Sequence, residues 1–471
     1  MIKNQFSSSL CSAQAHYYNA DAVSNNPNCL AGSNLEIDEK SVFSVLQYGA
    51  IIPPMSPWKG VSRFIPGYKY KNETIEGAIE LKNKNKVLNI EDRVNEIERR
   101  VDSILNENIG REDPVLLFSG GVDSGFIASR LAALGYKDSL LVNFSFGVDD
   151  QESYLAEKMA NRLGLKFKRI FARKSLCDCL ESPGKIYTQP FGDHSTIPTS
   201  DLAHSVVKHL SGQNRLIIDG TGADGAFGMF DKIKKWQNVN RIPITLRKAA
   251  ALIYARLFLN QTGRVEHILR VITRSVEMPG FSAILAQNAL AGRFYDDTAK
   301  VEVDDQLIKW IGGCIAEPIS SQIIAADMAL TCANIFAQKA RPIFVNKGHK
   351  VLYPFLEDEI VDMALSTMQY SHLTEPKALL KESLVKYVPR DMVYRKKSGF
   401  SDPKDKVFFN DEFIEHLRSI SDCNGPISHL IDKKMILSSC DFLNKGKKLP
   451  IQTLNLLWAA TFTDRWYRTV V

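Results

Sequence analysis

Residues that can bind phosphate and a metal ion stand together in the run PVLLFSGGVDS. The hydroxyl groups of Ser119 and Ser124 can donate hydrogen bonds to phosphate oxygens. The carboxylate of Asp123 suits the Mg²⁺ that accompanies a phosphate. Gly120 and Gly121 let the backbone come close to an anion because they have no Cβ atom. The run therefore predicts a turn that holds a phosphate chain and its metal ion.

The sequence on either side of this turn predicts the elements that position it. The apolar run at 114–118 is typical of a buried strand, and apolar residues recur with helical spacing over 126–134. A helix that begins there presents unpaired backbone N–H groups and the positive end of its dipole to a phosphate. The turn lacks the GK[ST] ending of a Walker A loop. A plain glycine turn is the alternative, but the complete hexapeptide between a strand and a helix favours phosphate binding.

A second glycine-rich loop, DGTGADGAFG, follows another predicted strand at 215–218. It contains two carboxylates, Asp219 and Asp224. Because the carboxyl ends of parallel strands share one edge of a sheet, we expect both loops to face one ligand. Asp123 and Asp224 would then share the Mg²⁺ of Mg·ATP. Taken alone, this loop fits a flexible glycine connection equally well.

The order of the predicted elements indicates an α/β fold. Further strands are predicted at 140–147 and 166–171, with a helix at 155–163 between them that ends at Gly164. An amphipathic helix that begins at Ile90 leads into the first strand. Strands that alternate with helices form a parallel, doubly wound sheet, and such sheets bind ligands at the carboxyl ends of their strands.

Three regions follow from the change in pattern along the chain. Residues 1–70 are predicted to form an N-terminal arm that is loose and partly disordered over 1–40. Residues 71–230 would form the ATP-binding α/β core. Residues 231–471 are predicted to be mostly helical, with a loop at GRFYDDTAKVEVDDQ and a buried helix over 319–340.

The composition is ordinary for a globular protein. The chain has 471 residues, of which 45% are hydrophobic and 24% charged, and its net charge is +6. This charge is too small to argue for nucleic acid as a partner. The N-terminus has no signal-peptide core, and no stretch reaches the ~18 consecutive apolar residues of a membrane span. The eight scattered cysteines fit reduced thiols. We therefore expect a cytoplasmic protein with no membrane or nucleic acid partner.

Over residues 43–440, approximately, the chain resembles the asparagine synthetase family. FSGGVDS is similar to the family's pyrophosphate loop, NFSFG to its second strand, DGTGADGAFG to its Gly-x-Gly-x-Asp loop, and YPFLE to its Pro-Phe-Leu-Asp segment. The run at 377–400 is similar to its C-terminal lysine segment. The resemblance implies the PP-loop fold of the N-type ATP pyrophosphatases, which is adenine-nucleotide α-hydrolase-like. It also implies that ATP, with Mg²⁺, is cut to AMP and pyrophosphate.

The resemblance implies a role for each matching position. Phe118 and Phe146 would line the adenine pocket through their neighbouring backbone, and Lys397 would neutralise the departing pyrophosphate. Asp219 and Gly220 would border the ribose or the acyl-adenylate. Pyrophosphate and its Mg²⁺ would be held by Ser119, Gly120, Gly121, Asp123 and Ser124, with Asp224 as a second metal ligand.

Three features depart from the family pattern. Ile2 stands where the family's glutaminase domain has its cysteine nucleophile, and too few residues precede the sheet for that domain, so we expect no glutamine hydrolysis. Thr221 replaces a carboxylate or tyrosine that helps to deprotonate the amine, and a threonine hydroxyl cannot act as a base near neutral pH. Lys350 and Leu352 replace the family's glutamate and arginine ahead of the Pro-Phe-Leu-Asp segment. The residues expected to act in the activation of the acid thus match the family pattern, and those expected to act on the amine differ from it.

The leading hypothesis is an ATP-dependent amide ligase of specialised biosynthesis. It would adenylate a small-molecule or peptide carboxylate and transfer it to an amine or ammonia. An intramolecular cyclase, of the β-lactam or lasso-peptide type, is one alternative. A PP-loop enzyme that modifies tRNA is another, although paired catalytic cysteines are missing from the sequence. An inactive scaffold is a third, against which the complete SGGVDS and Lys397 count. The two substrates and the oligomeric state stay open.

Overall fold

The structure, a computed structural model, is an α/β architecture with a five-stranded parallel sheet and a largely helical C-terminal part. It describes residues 6–32, 35–71, 74–78, 89–145, 147–171, 178–210, 212–254, 264–277, 280–285, 297–315, 319–367, 375–395, 410–421, 425–447 and 449–470.

The strands are short, and most of them belong to the first half of the chain. In chain order they are β1 (Phe6–Ser7), β2 (Tyr17–Tyr18), β3 (Val23–Ser24), β4 (Ser62–Arg63), β5 (Tyr68–Lys71), β6 (Thr74–Ala78), β7 (Val115–Leu117), β8 (Leu140–Ser145), β9 (Lys166–Phe171), β10 (Leu216–Ile218) and β11 (Lys350–Leu352).

The helices alternate with the strands of the parallel sheet and then fill the second half of the chain. They are α1 (Glu39–Tyr48), α2 (Ile90–Asn108), α3 (Val122–Ala133), α4 (Gln151–Leu163), α5 (Asp178–Glu181), α6 (Pro183–Ile186), α7 (Thr196–Leu210), α8 (Ala223–Phe227), α9 (Phe230–Asn240), α10 (Ile244–Ile253), α11 (Arg264–Glu277), α12 (Ser282–Leu285), α13 (Asp297–Cys314), α14 (Ile319–Ala326), α15 (Arg341–Val345), α16 (Asp358–Thr367), α17 (Ala378–Leu384), α18 (Arg390–Tyr394), α19 (Asp411–Ser419), α20 (Lys433–Asn444) and α21 (Ile451–Val470).

The parallel sheet has the strand order β11-β10-β7-β8-β9, and every neighbouring pair in it is parallel. The four predicted strands are confirmed, and β11 is a fifth that the sequence did not predict. From β7 the chain moves outward through β8 to β9, and it then returns to the other side of β7 to form β10 and β11. The carboxyl ends of β7 and β10 are therefore neighbours at the point where the strand order reverses, which is where such sheets bind ligands.

Helices cover both faces of this sheet. Leu116 of β7 packs in one hydrophobic cluster with Phe126 of α3. Val115, the preceding residue of the same strand, packs in the other with Val206 of α7 and Phe344 of α15. Because successive side chains of a strand point to opposite faces, this short strand is buried on both sides. That burial explains why it is continuously apolar in the sequence.

The N-terminal residues correct the prediction of a loose arm. Strands β1, β5 and β6 form one small antiparallel sheet, and β2, β3 and β4 form another. Leu10 and Cys11 are buried, and the fully buried Tyr17 donates a hydrogen bond from its hydroxyl group to Gln189 Oε1 at 2.7 Å. The strands within 1–40, β1, β2 and β3, have two residues each and are too short to show an alternating pattern, so the sequence predicted a loose arm there. The division of the chain into three regions stays a prediction.

The stretch GRFYDDTAKVEVDDQ is the second correction. The sequence predicted a loop, but its described part from Asp297 onward is the start of α13. Val303 and Leu307 of this helix are fully buried. The buried Asp304 accepts hydrogen bonds from Gln47 and Tyr48 of α1, which satisfy its carboxylate. The helix was missed because an acidic residue lies on its buried face, whereas charged residues normally face solvent.

The buried helix predicted at 319–340 is confirmed. Residues Ile319–Lys339 are helical throughout, with α14 followed by a π-helical stretch, Asp327–Phe336, and a 3₁₀ turn, Ala337–Lys339. By length and composition this helix could cross a membrane, but 72% of its apolar 18-residue stretch is buried inside the protein. A core helix has the same length and composition, and the burial matches that role.

Candidate functional site

A cavity of about 1180 Å³ opens at the carboxyl ends of β7, β8 and β10. Both predicted glycine-rich loops line it. The π-helical stretch, the start of α7 and the residues around the start of α17 complete its wall. Because both loops line this one cavity, their position is consistent with the prediction that they face one site.

The first loop is shaped by the close approach of its backbone to α4. Gly120 has a φ angle of +67°, and a Cβ atom there would lie 2.7 Å from the Cα atom of Ala156. Such a contact is impossible for a side chain, so only glycine fits. The hydroxyl oxygens of Ser119 and Ser124 lie 3.2 Å apart across the loop, and α3 begins directly after Gly121.

The second loop lies directly against the first. A Cβ atom on Gly220 would lie 3.4 Å from Cβ of Asp123 and from the backbone nitrogen of Ser124. Gly222 has a φ angle of +109°, and a Cβ atom there would lie 2.8 Å from Leu356 in the YPFLE segment. The two loops and this segment therefore pack as one unit, and position 222 requires glycine.

Lys377 links the two loops through their aspartates. Its ammonium group lies 2.8 Å from both carboxylate oxygens of Asp123 and 2.7 Å from Oδ1 of Asp224. Its backbone nitrogen donates to the carbonyl oxygen of Phe227 at 2.7 Å. Burial opposes the charged form of Lys377, but the two carboxylates outweigh it and raise the pKa of this lysine.

This arrangement bears on the predicted metal site. An ammonium ion between two carboxylates is a stand-in for a metal cation, and carboxylate oxygens are the protein ligands that Mg²⁺ prefers. Among the described residues, no three His, Cys, Asp or Glu side chains are placed together to hold a metal ion. A pair of carboxylates still fits Mg²⁺, because this ion is usually bound by one or two carboxylates together with waters and phosphate oxygens.

A buried ion pair stands at another part of the cavity wall. Lys339 is only 5% exposed, and its Nζ atom lies 3.1 Å from Oδ2 of Asp193 and 2.7 Å from Oγ of Ser195. The same atom lies 4.2 Å from the centre of the Phe336 ring. Burial lowers the pKa of Lys339, although Asp193 and the more distant Asp219 act against it.

Asp219 and Thr221 lie beside this pair. The backbone N–H and the hydroxyl group of Thr221 both donate to Oδ1 of Asp219, at 2.8 and 2.9 Å. Burial raises the pKa of Asp219, and these two hydrogen bonds oppose the rise. The hydroxyl proton of Thr221 is therefore engaged with a neighbouring carboxylate, so a ligand in the cavity would meet its lone pairs.

Most of the predicted site residues come together at this cavity, although their roles stay predictions. Phe146 and Lys397 lie outside the described residues. Arg395, two positions before Lys397, does line the cavity. The predicted residues that line it are Phe118, Ser119, Gly120, Gly121, Asp123, Ser124, Asp219, Gly220, Thr221 and Asp224.

Lys350 does not belong to this site. The sequence placed it with the groups that receive the amine, but it is exposed and opens β11, where it pairs with Leu216 at the amino end of β10. The cavity lies at the opposite, carboxyl end of these strands, and Lys350 is not among the residues that line it. Each residue of a strand advances the chain by about 3.3 Å, so three residues separate Lys350 from that edge by roughly 10 Å.

Sequence reasoning missed several residues that the fold brings to the cavity. Lys377 could have been found, because it lies in the run that resembles the family's lysine segment. Asp193 and Lys339 carry no local signal, since they come from distant parts of the chain. An apolar part of the wall was also missed, and it consists of Leu117, Val142, Phe144, Leu202 and Phe336.

Comparison with known proteins shows the family to which the chain belongs. A protein-family model described as asparagine synthase matches residues 109–460, which is about three quarters of the chain. The match includes the parallel sheet, both glycine-rich loops and most of the helical part. No curated protein matches the chain.

Proposed function

Since the chain belongs to the asparagine synthase family of ATP-dependent amide ligases, we propose that it activates a carboxylate by adenylation. The adenylated acid is then joined to an amine or to ammonia. AMP and pyrophosphate are the by-products, and Mg²⁺ accompanies the nucleotide. The order of the parallel strands and the loop after β7 support a PP-loop type of ATP site.

One observation carries this proposal. The SGGVDS loop, the DGTGADGAFG loop and the basic residues of the C-terminal part meet in one cavity. The loop after β7 offers backbone N–H groups and two hydroxyl groups to a phosphate chain. Asp123 and Asp224 provide carboxylates for the metal ion, and Lys377 provides positive charge beside them. A site with these parts suits an enzyme that acts on a metal–nucleotide complex.

The first half-reaction follows from this arrangement of charge. An oxygen of the substrate carboxylate attacks the α-phosphorus of ATP, and the bond from this phosphorus to the pyrophosphate oxygen breaks. Negative charge grows on the departing pyrophosphate, so cations fixed beside it lower the barrier. Lys397 and Lys377 are the candidates for this task. Bound Mg²⁺, held by Asp123 and Asp224, would neutralise phosphate oxygens in the same step.

The second half-reaction joins the acid to the amine. The amine nitrogen attacks the acyl carbon, the bond from this carbon to the AMP oxygen breaks, and the nitrogen passes its extra proton to water or to the phosphate of the departing AMP. Thr221 cannot remove that proton as a base near neutral pH. Its hydroxyl group can orient the amine, because its own proton is donated to Asp219 and its lone pairs are available to an N–H group. We propose that the amine or ammonia enters directly and that the chain does not hydrolyse glutamine.

The products of ATP consumption test the proposal. Purified protein is incubated with Mg·ATP, hydroxylamine and a panel of small-molecule and peptide acids, and the nucleotides are separated by chromatography. An accepted acid should yield AMP, pyrophosphate and an acyl hydroxamate, the product of an activated acyl group. ADP and phosphate as products would refute adenylation. A product that has lost one water from a single substrate, formed together with AMP and without added amine, would identify the intramolecular cyclase.

A further inference from the structure

The ammonium group of Lys377 occupies the position between the two carboxylates that Mg²⁺ would need. It contacts both oxygens of Asp123 and one oxygen of Asp224 at 2.7–2.8 Å. A Mg²⁺ ion bound to the same oxygens would lie about 2.1 Å from them. The two cations would therefore overlap in space, and their like charges would repel. Only one of them can be held between these carboxylates at a time.

We propose that Lys377 is a built-in cation that closes the metal site to free divalent ions, so that the metal enters only together with ATP. This inference rests on the proposed function, because the metal and the nucleotide both belong to it. It adds the form in which the substrate binds, namely the preformed metal–nucleotide complex, and the residue that enforces it.

The surroundings of Lys377 make it suited to move aside without leaving the site. Its side chain is 16% exposed, so the ammonium group has lost most of its water and depends on the two carboxylates for charge compensation. Its backbone is held in place by the hydrogen bond to Phe227 and by a left-handed turn with a φ angle of +60° at the start of α17. The flexible four-carbon side chain can swing while this anchor stays fixed.

The triphosphate supplies what the displaced ammonium group needs. A free divalent ion would leave Lys377 without a negative partner in a largely buried place, which opposes its entry. Mg·ATP brings its own phosphate oxygens, and these can accept the hydrogen bonds that Lys377 no longer donates to Asp123 and Asp224. Asp224 is 75% exposed on its side chain, so a complex arriving through the mouth of the cavity meets this carboxylate in contact with solvent.

Binding of Mn²⁺ in the absence of nucleotide tests the inference. The probe is Mn²⁺ alone, and free Mn²⁺ is measured by electron paramagnetic resonance with wild-type protein, Lys377→Met and Lys377→Gln. Removing the ammonium group should tighten Mn²⁺ binding by about tenfold or more, because a contacting like charge no longer opposes the metal. Adding Asp123→Asn to Lys377→Met should abolish the gain.

Lys381→Met is the matched control. Lys381 is on the same helix, and its ammonium group pairs with Glu375 at 2.7 Å instead of with the aspartates of the loops. This variant removes one positive charge nearby without opening the metal position, so its Mn²⁺ affinity should equal that of the wild type. Circular dichroism and thermal unfolding show which variants keep the native fold. Two substitutions at position 377 are used so that the test can still be made if one of the two variants does not fold.

The outcomes separate this inference from the proposed function. If the wild type binds Mn²⁺ as tightly as a folded Lys377 variant, the inference is wrong. If Lys381→Met tightens binding as much as Lys377→Met, a general charge effect explains the gain and the inference is also wrong. The measurement contains neither ATP nor an acid, so failure to form AMP in the product assay would refute the proposed function alone.

Discussion

The guanidinium group of Arg395 is held at the first glycine-rich loop by a 2.6 Å ion pair with Glu152. The same side chain donates to the carbonyl oxygen of Gly120 at 3.3 Å. Lys397 follows two positions later in the sequence, and two residues of chain span at most about 7 Å. The Cα atom of Lys397 is therefore within about 7 Å of the Cα atom of Arg395, a residue that contacts the phosphate loop, and this supports the proposed contact between Lys397 and pyrophosphate.

We predict that Lys397→Ala nearly abolishes the acid-dependent exchange of labelled pyrophosphate into ATP. A fixed cation that stabilises charge on the leaving group is typically worth ~3–4 kcal/mol, so the exchange rate should fall by about 10²–10³. Asp123→Ala should lower it to a similar extent, because this carboxylate would hold the metal. The measurement is the initial rate of exchange at saturating acid.

Lys350→Ala is the control for this experiment. It also removes a lysine, but Lys350 is exposed at the amino end of β11, away from the cavity. Both pyrophosphate exchange and amide formation should keep their wild-type rates in this variant. Loss of exchange in Lys350→Ala together with normal exchange in Lys397→Ala would contradict the assignment of Lys397.

We predict that Gly120→Ala destroys nucleotide binding and lowers stability more than Gly135→Ala does. Both glycines have positive φ angles, +67° and +85°, but a Cβ atom meets the backbone of Ala156 only at position 120 and has open space at position 135. Backbone strain costs of order 1 kcal/mol at either site, and the clash adds about 1–3 kcal/mol at Gly120. Thermal unfolding and nucleotide titration measure the two effects. Equal loss in both variants would show that the contact with Ala156 does not shape the loop.

The central sheet and the meeting of the two loops could be predicted because their signals are local. Val115–Leu117 and Leu216–Ile218 are apolar runs that end in glycine turns, and parallel strands bring their carboxyl ends to one edge. β11 was missed because it begins with an exposed lysine and lies at the edge of the sheet, where a strand need not be apolar throughout. Its hydrogen bonds to β10 give it its strand conformation.

The ion pairs of Lys339 and Lys377 could not be predicted, because their partners lie far away in the sequence. Lys339 ends a largely apolar helix, and Asp193 lies in a loop about 150 positions earlier, so no spacing rule joins them. Lys377 was noticed as part of a lysine-rich run, but its contact with Asp123 depends on the packing of α17 beside α3. Contacts between distant segments come from tertiary packing, which periodicity does not encode.

We predict that the chain releases no glutamate from glutamine. Cys11 is buried, and burial raises the pKa of its thiol well above the ordinary value, which disfavours the reactive thiolate. Amide formation from an accepted acid should proceed with ammonium chloride or an amine and not with glutamine. Mass spectrometry of the reaction measures both products, and glutamate that accumulates in proportion to protein would contradict the prediction.

Finally, we predict that Lys339→Met destabilises the protein at neutral pH and that the effect fades in acid. Replacing the ammonium group leaves Asp193, whose side chain is only 15% exposed, without its cation, and breaking a largely buried ion pair in this way costs about 3–5 kcal/mol. Burial alone would raise the pKa of Asp193, but Lys339, His194 and hydrogen bonds from Ser195 outweigh it and hold this pKa below its ordinary value. A carboxyl group with a lowered pKa stabilises the fold above its unfolded pKa of about 3.9 and loses that contribution as the pH falls through its folded value. The difference in the free energy of unfolding between wild type and variant should therefore be largest near pH 7 and shrink below about pH 4.

Urea unfolding at several pH values measures this difference. Asp193→Asn combined with Lys339→Met should recover part of the lost stability, because no charge is left unpaired. A difference below about 1 kcal/mol at pH 7, the range of exposed ion pairs, would show that the pair does not stabilise the wall of the cavity.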